Sequence, residues 1–150
     1  YYLVAGKSPL RELPPPRVEA RSLRSFLDRE PAPGQRLDPE LVATYPHALD
    51  VVDPLDSIAI TACFTSAYGH SPIRSGSYLQ TPSGLRRFSP AEILRLLGFP
   101  KSFTLPSDLP LATAWRLVGN SLSIHAVRYT LSAIPELSRL IRTETRAASI

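Results

Sequence analysis

Leu85-Arg86-Arg87-Phe88-Ser89-Pro90-Ala91-Glu92, continued by Ile93-Leu94-Arg95-Leu96-Leu97-Gly98-Phe99-Pro100, is a short helix with both ends written into the chain. Ser89 can serve as N-cap, Pro90 takes the first helical position, and Glu92 completes a capping box. Ile93, Leu94, Leu96 and Leu97 form the apolar face, and Gly98 suits the left-handed residue that closes a helix. Phe99-Pro100 then forces an extended exit. A second helix is predicted from about Pro110 to Val118, ended by Gly119. Asn120 reads as the N-cap of a third helix. A helix start there would expose N–H groups and a partial positive charge, a seat for a carboxylate or phosphate. The Asn120 amide and Ser121 hydroxyl would orient such a ligand. Capping alone also accounts for Asn120, and the two roles are compatible.

Working outward, 150 residues are enough for one domain with a real core. The composition, 43% apolar and 20% charged, is that of a globular protein. Proline is the outlier: 16 of 150 residues, about twice the usual share. Most of the excess precedes residue 55, so that part is expected to be irregular. The net charge of +4 is carried almost wholly by Arg, with Lys only at 7 and 101. Arg forks match phosphate and guanine edges, so this charge fits a nucleic-acid partner without demanding one. One Cys excludes an internal disulfide and fits a reducing, cytoplasmic or nuclear compartment. Scattered His and Cys give no metal spacing, and no apolar run approaches the ~18 to 20 residues of a membrane span. The missing Met points to a chain that begins inside a longer protein.

In chain order, Tyr1 to Ala5 is an apolar, β-prone run read as a buried strand. Ser8 to Ala20 is a linker with Pro14-Pro15-Pro16. Ser22 to Leu27 is a helical turn with Leu23, Phe26 and Leu27 on one face. Asp38-Pro39-Glu40-Leu41 starts a helix that stops at Tyr45. His47 to Val52 is read as a further turn. Ser57 to Phe64 is read as a strand marked by Ile58, Ile60 and Phe64. Gly76 to Gln80 is another short strand, and Pro82-Ser83-Gly84 a turn. Beyond Asn120, the stripe Ile124, Val127, Leu131, Ile134 demands a partner surface. Pro135 ends that helix, Glu136 to Arg142 can continue as another, and Thr143 to Ile150 is a frayed tail.

Arg86 and Glu92, Leu96-Leu97-Gly98-Phe99-Pro100 and Gly119-Asn120-Ser121-Leu122 together resemble the last two motifs of the cytosine-5 methyltransferases. Cys63-Phe64-Thr65, Tyr68-Gly69 and Gly76-Ser77-Tyr78-Leu79-Gln80 resemble the target-recognition segment of the tRNA-aspartate cytosine-5 methyltransferases. The likeness is dense from about Ala62 to Leu131, with the motifs in family order. It implies an α/β fold, the C-terminal part of a class I S-adenosylmethionine-dependent methyltransferase with its small target-recognition region. The implied division is 1–7 as the tail of a catalytic-domain strand, 8–84 as linker and target recognition, 85–142 as closing motifs, and 143–150 as tail.

What the resemblance implies for residues follows. Asn120 and Ser121 would contact S-adenosylmethionine. Cys63, Phe64 and Thr65 would lie near the active-site pocket, in reach of the tRNA substrate. By their own chemistry, stacking rings mixed with phosphate-pairing cations, Tyr68, His70, Arg74, Arg87 and Lys101 are read as an RNA-facing surface, although His70 departs from the family's basic or small residue. Arg86 and Glu92 would be structural, since an Arg cannot act as a base. Cys63 follows Ala62 where the family's nucleophile follows Pro, so it is not the nucleophile. A lone Cys in an apolar stretch is otherwise expected to be buried. In the whole enzyme a cysteine thiolate adds to cytosine C6, carbon 5 takes the methyl, and elimination releases the product. The Pro-Cys loop, the Glu-Asn-Val motif and the glycine-rich loop are absent from these residues. The chain alone is therefore expected to be inactive and poorly stable, and to need the N-terminal methyltransferase half. Two rivals share many of these features: part of a DNA cytosine-5 methyltransferase, and a catalytically dead RNA-binding or interaction module.

Overall fold

A computed structural model of the chain describes residues 9–16 and 21–138. The chain divides into two compact units, one of residues 20–121 and one joining 1–19 to 122–150.

The larger unit is built on a three-stranded sheet. Strand β1 (Asp50–Val52) runs parallel to β2 (Ser77–Thr81), which pairs antiparallel with β3 (Gly84–Arg87), giving the order β1-β2-β3. The hairpin turn at Thr81–Gly84 uses Gly84 at φ 108°, where a side chain would be strained. Residues 35–37 extend the free side of β3: Leu37 N–H donates to Leu85 and Arg87 N–H to Gln35. Four helical segments surround the sheet: a 3-10 turn at Leu23–Phe26, α1 (Pro39–Thr44), α2 (Pro90–Leu96) and α3 (Leu111–Gly119). Tyr68, Tyr78, Leu79, Phe88, Ile93, Trp115 and Val118 make the centre of the core.

The local signals hold. Ser89 Oγ accepts from Glu92 N–H at 3.0 Å while Glu92 accepts from Ser89 N–H at 2.7 Å, closing the capping box. Asp38 caps α1, with Pro39 at its start. Gly98 follows α2 at φ 82°.

Three expectations are corrected. Ser57 to Phe64 is not a strand, and Ile58 and Ile60 are 80% and 86% exposed. Both edges of β2 are already taken by β1 and β3. Asp53 and Asp56 also divert the preceding backbone into local turns by accepting from Leu55 and Ile58 N–H. Of the segment read as a turn at His47 to Val52, residues 47–49 do turn, and Asp50–Val52 form β1. Asn120 does not start a helix: it is the C-cap of α3.

Tyr68, expected on an RNA-facing surface, is fully buried. Its hydroxyl donates to the Ser77 carbonyl at 2.6 Å and accepts from Phe88 N–H at 2.9 Å. Ring contacts with Phe64, Tyr78 and Trp115 complete its surroundings. Burial pushes its phenol well above the usual tyrosine range, against a smaller opposing effect of the Phe88 hydrogen bond. The folded-state pKa is raised, so the stabilisation is full below the unfolded value of about 10. It is lost as pH rises above that value. Urea melts should therefore show stability falling above about pH 10. Tyr68→Phe should flatten that fall while costing about 1 to 3 kcal/mol at neutral pH, because two buried backbone groups lose their partner.

The smaller unit contains α4 (Ile124–Leu131), capped by Ser123, whose Oγ accepts from Ala126 N–H at 3.4 Å. Pro135 ends that run and opens a helical turn through Ser138. Residues 9–16, read as linker, are tied to it. Arg11 N–H donates to Ala133 at 2.8 Å, Arg11 Nη1 to Ser138 Oγ at 3.1 Å, and the Tyr129 hydroxyl to Pro14 at 2.7 Å. The Ile124, Val127, Leu131, Ile134 stripe is half-buried throughout. The Tyr1–Ala5 strand, the helix beyond Ser138 and the tail from Thr143 lie outside the described residues.

Candidate functional site

The larger unit brings two of the sequence motifs together at the C-terminal end of α3. Gly119 meets the Thr65 carbonyl so closely that an added Cβ would fall well inside 3 Å of the Thr65 backbone. Only glycine permits that approach. The Thr65 side of the contact is held by its own loop: Thr65 N–H donates to Ser75 at 2.9 Å, and Tyr68 N–H donates to Thr65 at 3.1 Å. Phe64 is wedged edge-on against Tyr68 and Phe88, with ring centroids 5.1 and 5.2 Å away. Cys63 is therefore anchored by its neighbours yet is itself exposed, contrary to the expectation of burial.

Beyond Gly119 the chain turns tightly. Asn120 N–H donates to Leu117 at 3.2 Å, Ser121 N–H to Val118 at 3.0 Å, and Ser121 Oγ to Leu117 at 3.1 Å. The Asn120 side chain is exposed. This reverses the electrostatic argument made from the sequence. Asn120 and Ser121 lie at the carbonyl-rich end of α3, where the helix dipole favours a positive rather than a negative group.

The remaining predicted residues divide by location. Arg86 and Glu92 form a buried ion pair, Nη2 to Oε1 at 2.8 Å and Nη1 to Oε2 at 2.8 Å. Glu92 also accepts from Asp28 N–H, so each of its oxygens takes two hydrogen bonds. Arg87 lies over the Trp115 ring at 5.4 Å and donates through Nε to the Tyr68 carbonyl. It braces the core. Arg74 and His70 are exposed on the loop between Thr65 and β2, Arg74 at φ 54°. Lys101 is exposed beyond α2, in the wall of a separate cavity. The described residues contain no cluster of His, Cys, Asp or Glu able to hold a metal, and no helix among them is long and apolar enough to cross a membrane. Sequence reasoning missed the Gly119–Thr65 contact. A Gly ahead of Asn, with no turn type to require it, was the available signal for a close approach.

Residues 49–136 match the model of the C-5 cytosine-specific DNA methylase family. A tRNA (cytosine(38)-C(5))-methyltransferase of Homo sapiens is 30% identical over 146 residues, covering 79% of this chain and 37% of the relative. A DNA (cytosine-5)-methyltransferase of Dictyostelium discoideum is 34% identical over 87 residues, covering 48% of this chain and 23% of the relative. The chain thus spans well under half the length of these relatives. Among solved structures, the Schizosaccharomyces pombe Dnmt2 methyltransferase superposes with a TM-score of 0.68 at 28% identity, over 77% of this chain and 42% of that one. The tRNA-type relative matches over more of the chain than the DNA-type one. With its α/β fold, its buried Arg86–Glu92 pair and its Gly119-Asn120-Ser121 turn, this chain belongs to the C-5 cytosine-specific methylase family.

Proposed function

We propose that this chain supplies target recognition and part of the S-adenosylmethionine pocket to a cytosine-5 methyltransferase acting on tRNA. The Gly119–Thr65 contact carries the proposal. It fixes the exposed Cys63 and its neighbours Phe64 and Thr65 beside the Asn120-Ser121 turn, so that substrate-facing and cofactor-facing groups adjoin. S-adenosylmethionine, when bound, supplies the methyl group. Its ammonium and sulfonium charges suit the carbonyl end of α3. The Asn120 amide and the Ser121 hydroxyl are the side chains that would hold it. Cys63 has a contact role and not that of nucleophile. The nucleophile and glycine-rich loop are not among these 150 residues and would come from the N-terminal methyltransferase half. The surplus of Arg favours a polyanionic substrate, and the broader match to tRNA-type relatives favours tRNA over DNA.

The test is calorimetry of S-adenosylmethionine binding to the chain joined with the N-terminal half of the Schizosaccharomyces pombe relative. Ser121→Ala should weaken binding by about 0.5 to 1.5 kcal/mol, one hydrogen bond. Unchanged affinity in both Ser121→Ala and Asn120→Ala would remove the cofactor role.

A further inference from the structure

At the end of α3 opposite Gly119, the larger unit holds a cavity of about 560 Å³, within the usual range for ligand sites. Leu111 lines it and Gly119 lies eight residues on, so the two sites are about 12 Å apart along the helix at 1.5 Å per residue. Its walls are mainly apolar, from Leu94, Phe99, Phe103 and Ala114. Phe99 and Phe103 pair at 4.9 Å between centroids, yet Phe103 remains 46% exposed. Lys101, between these two rings in sequence, is exposed and has no ion pair among the described residues. Asp28, the acidic group of the lining, is already engaged by Arg95 at 2.6 Å and by Ser89 Oγ at 2.9 Å. Gln35 lines the same cavity at 1% exposure. Its Oε1 accepts from Arg86 Nη1 at 3.3 Å.

We infer that this cavity receives an unpaired base of the RNA strand, a second contact apart from the target cytosine. An exposed ring offers stacking, and an uncommitted cation meets the phosphate. That is the chemistry by which proteins hold splayed-out RNA bases. The inference rests on the tRNA reading above and adds a second place of contact to it.

The full chain is titrated with a fluorescent single-stranded RNA decamer, read by anisotropy at several salt concentrations. Phe103→Leu should weaken binding about tenfold, the worth of one base–aromatic stack. Lys101→Gln should weaken it too, and lower the slope of log affinity on log salt by about 0.7, one phosphate contact. Both side chains are exposed, and unchanged Trp115 fluorescence checks the fold. Photo-crosslinking with 4-thiouridine in the decamer should mark residues 99–105. Parent binding with both variants unchanged, or crosslinks confined elsewhere, overturns the pocket and leaves the tRNA reading standing. A parent chain that binds no RNA overturns both.

Discussion

Glu92→Gln is expected to lower the unfolding free energy by about 3 to 5 kcal/mol, the usual cost of removing one partner from a buried pair. Glu92 is fully buried, and its two oxygens accept four hydrogen bonds: two from Arg86, one from Asp28 N–H and one from Ser89 N–H. Both ends of the Gln amide face two donors each, so its NH₂ must oppose two of them whichever way it points, and the Arg86 guanidinium keeps its charge with no carboxylate beside it. The damage spreads because this one side chain joins the capping box of α2, strand β3 and the segment after the 3-10 turn. Urea denaturation followed by the fluorescence of Trp115, the single Trp of the chain, reads the loss directly. Replacing both partners, Arg86→Met with Glu92→Leu, should recover the part owed to the orphaned charge but not the part owed to Asp28 and Ser89 N–H, which still lose their acceptor. A loss below about 1 kcal/mol for Glu92→Gln would put the pair in the class of weak surface bridges.

Trp115→Ala should cost a comparable amount, about 3 to 5 kcal/mol. The ring is 4% exposed, and its Nε1 donates to the Phe88 carbonyl at 2.8 Å. It meets Tyr68 edge-on at 6.2 Å and carries Arg87 over its face. Gly69 lies against it so closely that a Cβ there would meet Cε3 at 3.2 Å. Removing the ring leaves a cavity that Gly69 cannot fill and strands one buried carbonyl. Because α3 carries Gly119 at its end, the change should also loosen the Asn120-Ser121 turn. Trp115→Phe keeps most of the volume and loses the hydrogen bond, so it should cost less, about 1 to 3 kcal/mol. Thermal melts by far-UV circular dichroism separate the two variants; equal losses would mean that the hydrogen bond, and not packing, dominates.

The features legible in the sequence are those fixed within a few residues. Ser89 and Glu92 cap a helix three positions apart, and Asp38-Pro39 and Gly98 act on their own backbone. Such signals need no knowledge of the rest of the chain. The features misread depend on partners distant in sequence. Ser57 to Phe64 has the composition of a strand, yet no edge of β2 is left for it. Tyr68 stands in a polar stretch and reads as a surface ring, while Ser77 and Phe88 draw its hydroxyl into the core. Asn120 looks like an N-cap because Gly119 looks like a stop. α3 does stop there, with Gly119 as its last residue and as the close contact of Thr65, but no helix restarts at once: Asn120 is the C-cap of α3, and α4 begins at Ile124 with Ser123 as N-cap. In the candidate site the motifs were found by likeness and their adjacency only by structure.

The central claim is that these residues complete a cytosine-5 methyltransferase directed at tRNA. The most direct measurement is transfer of a labelled methyl group from S-adenosylmethionine to tRNA, with duplex DNA in parallel. It compares the chain alone, the N-terminal half of the Schizosaccharomyces pombe relative alone, and the two joined. The account predicts cytosine methylation of tRNA by the joined protein and by neither part alone. Methyl transfer by the chain alone, or by the joined protein to DNA in preference to tRNA, would contradict it.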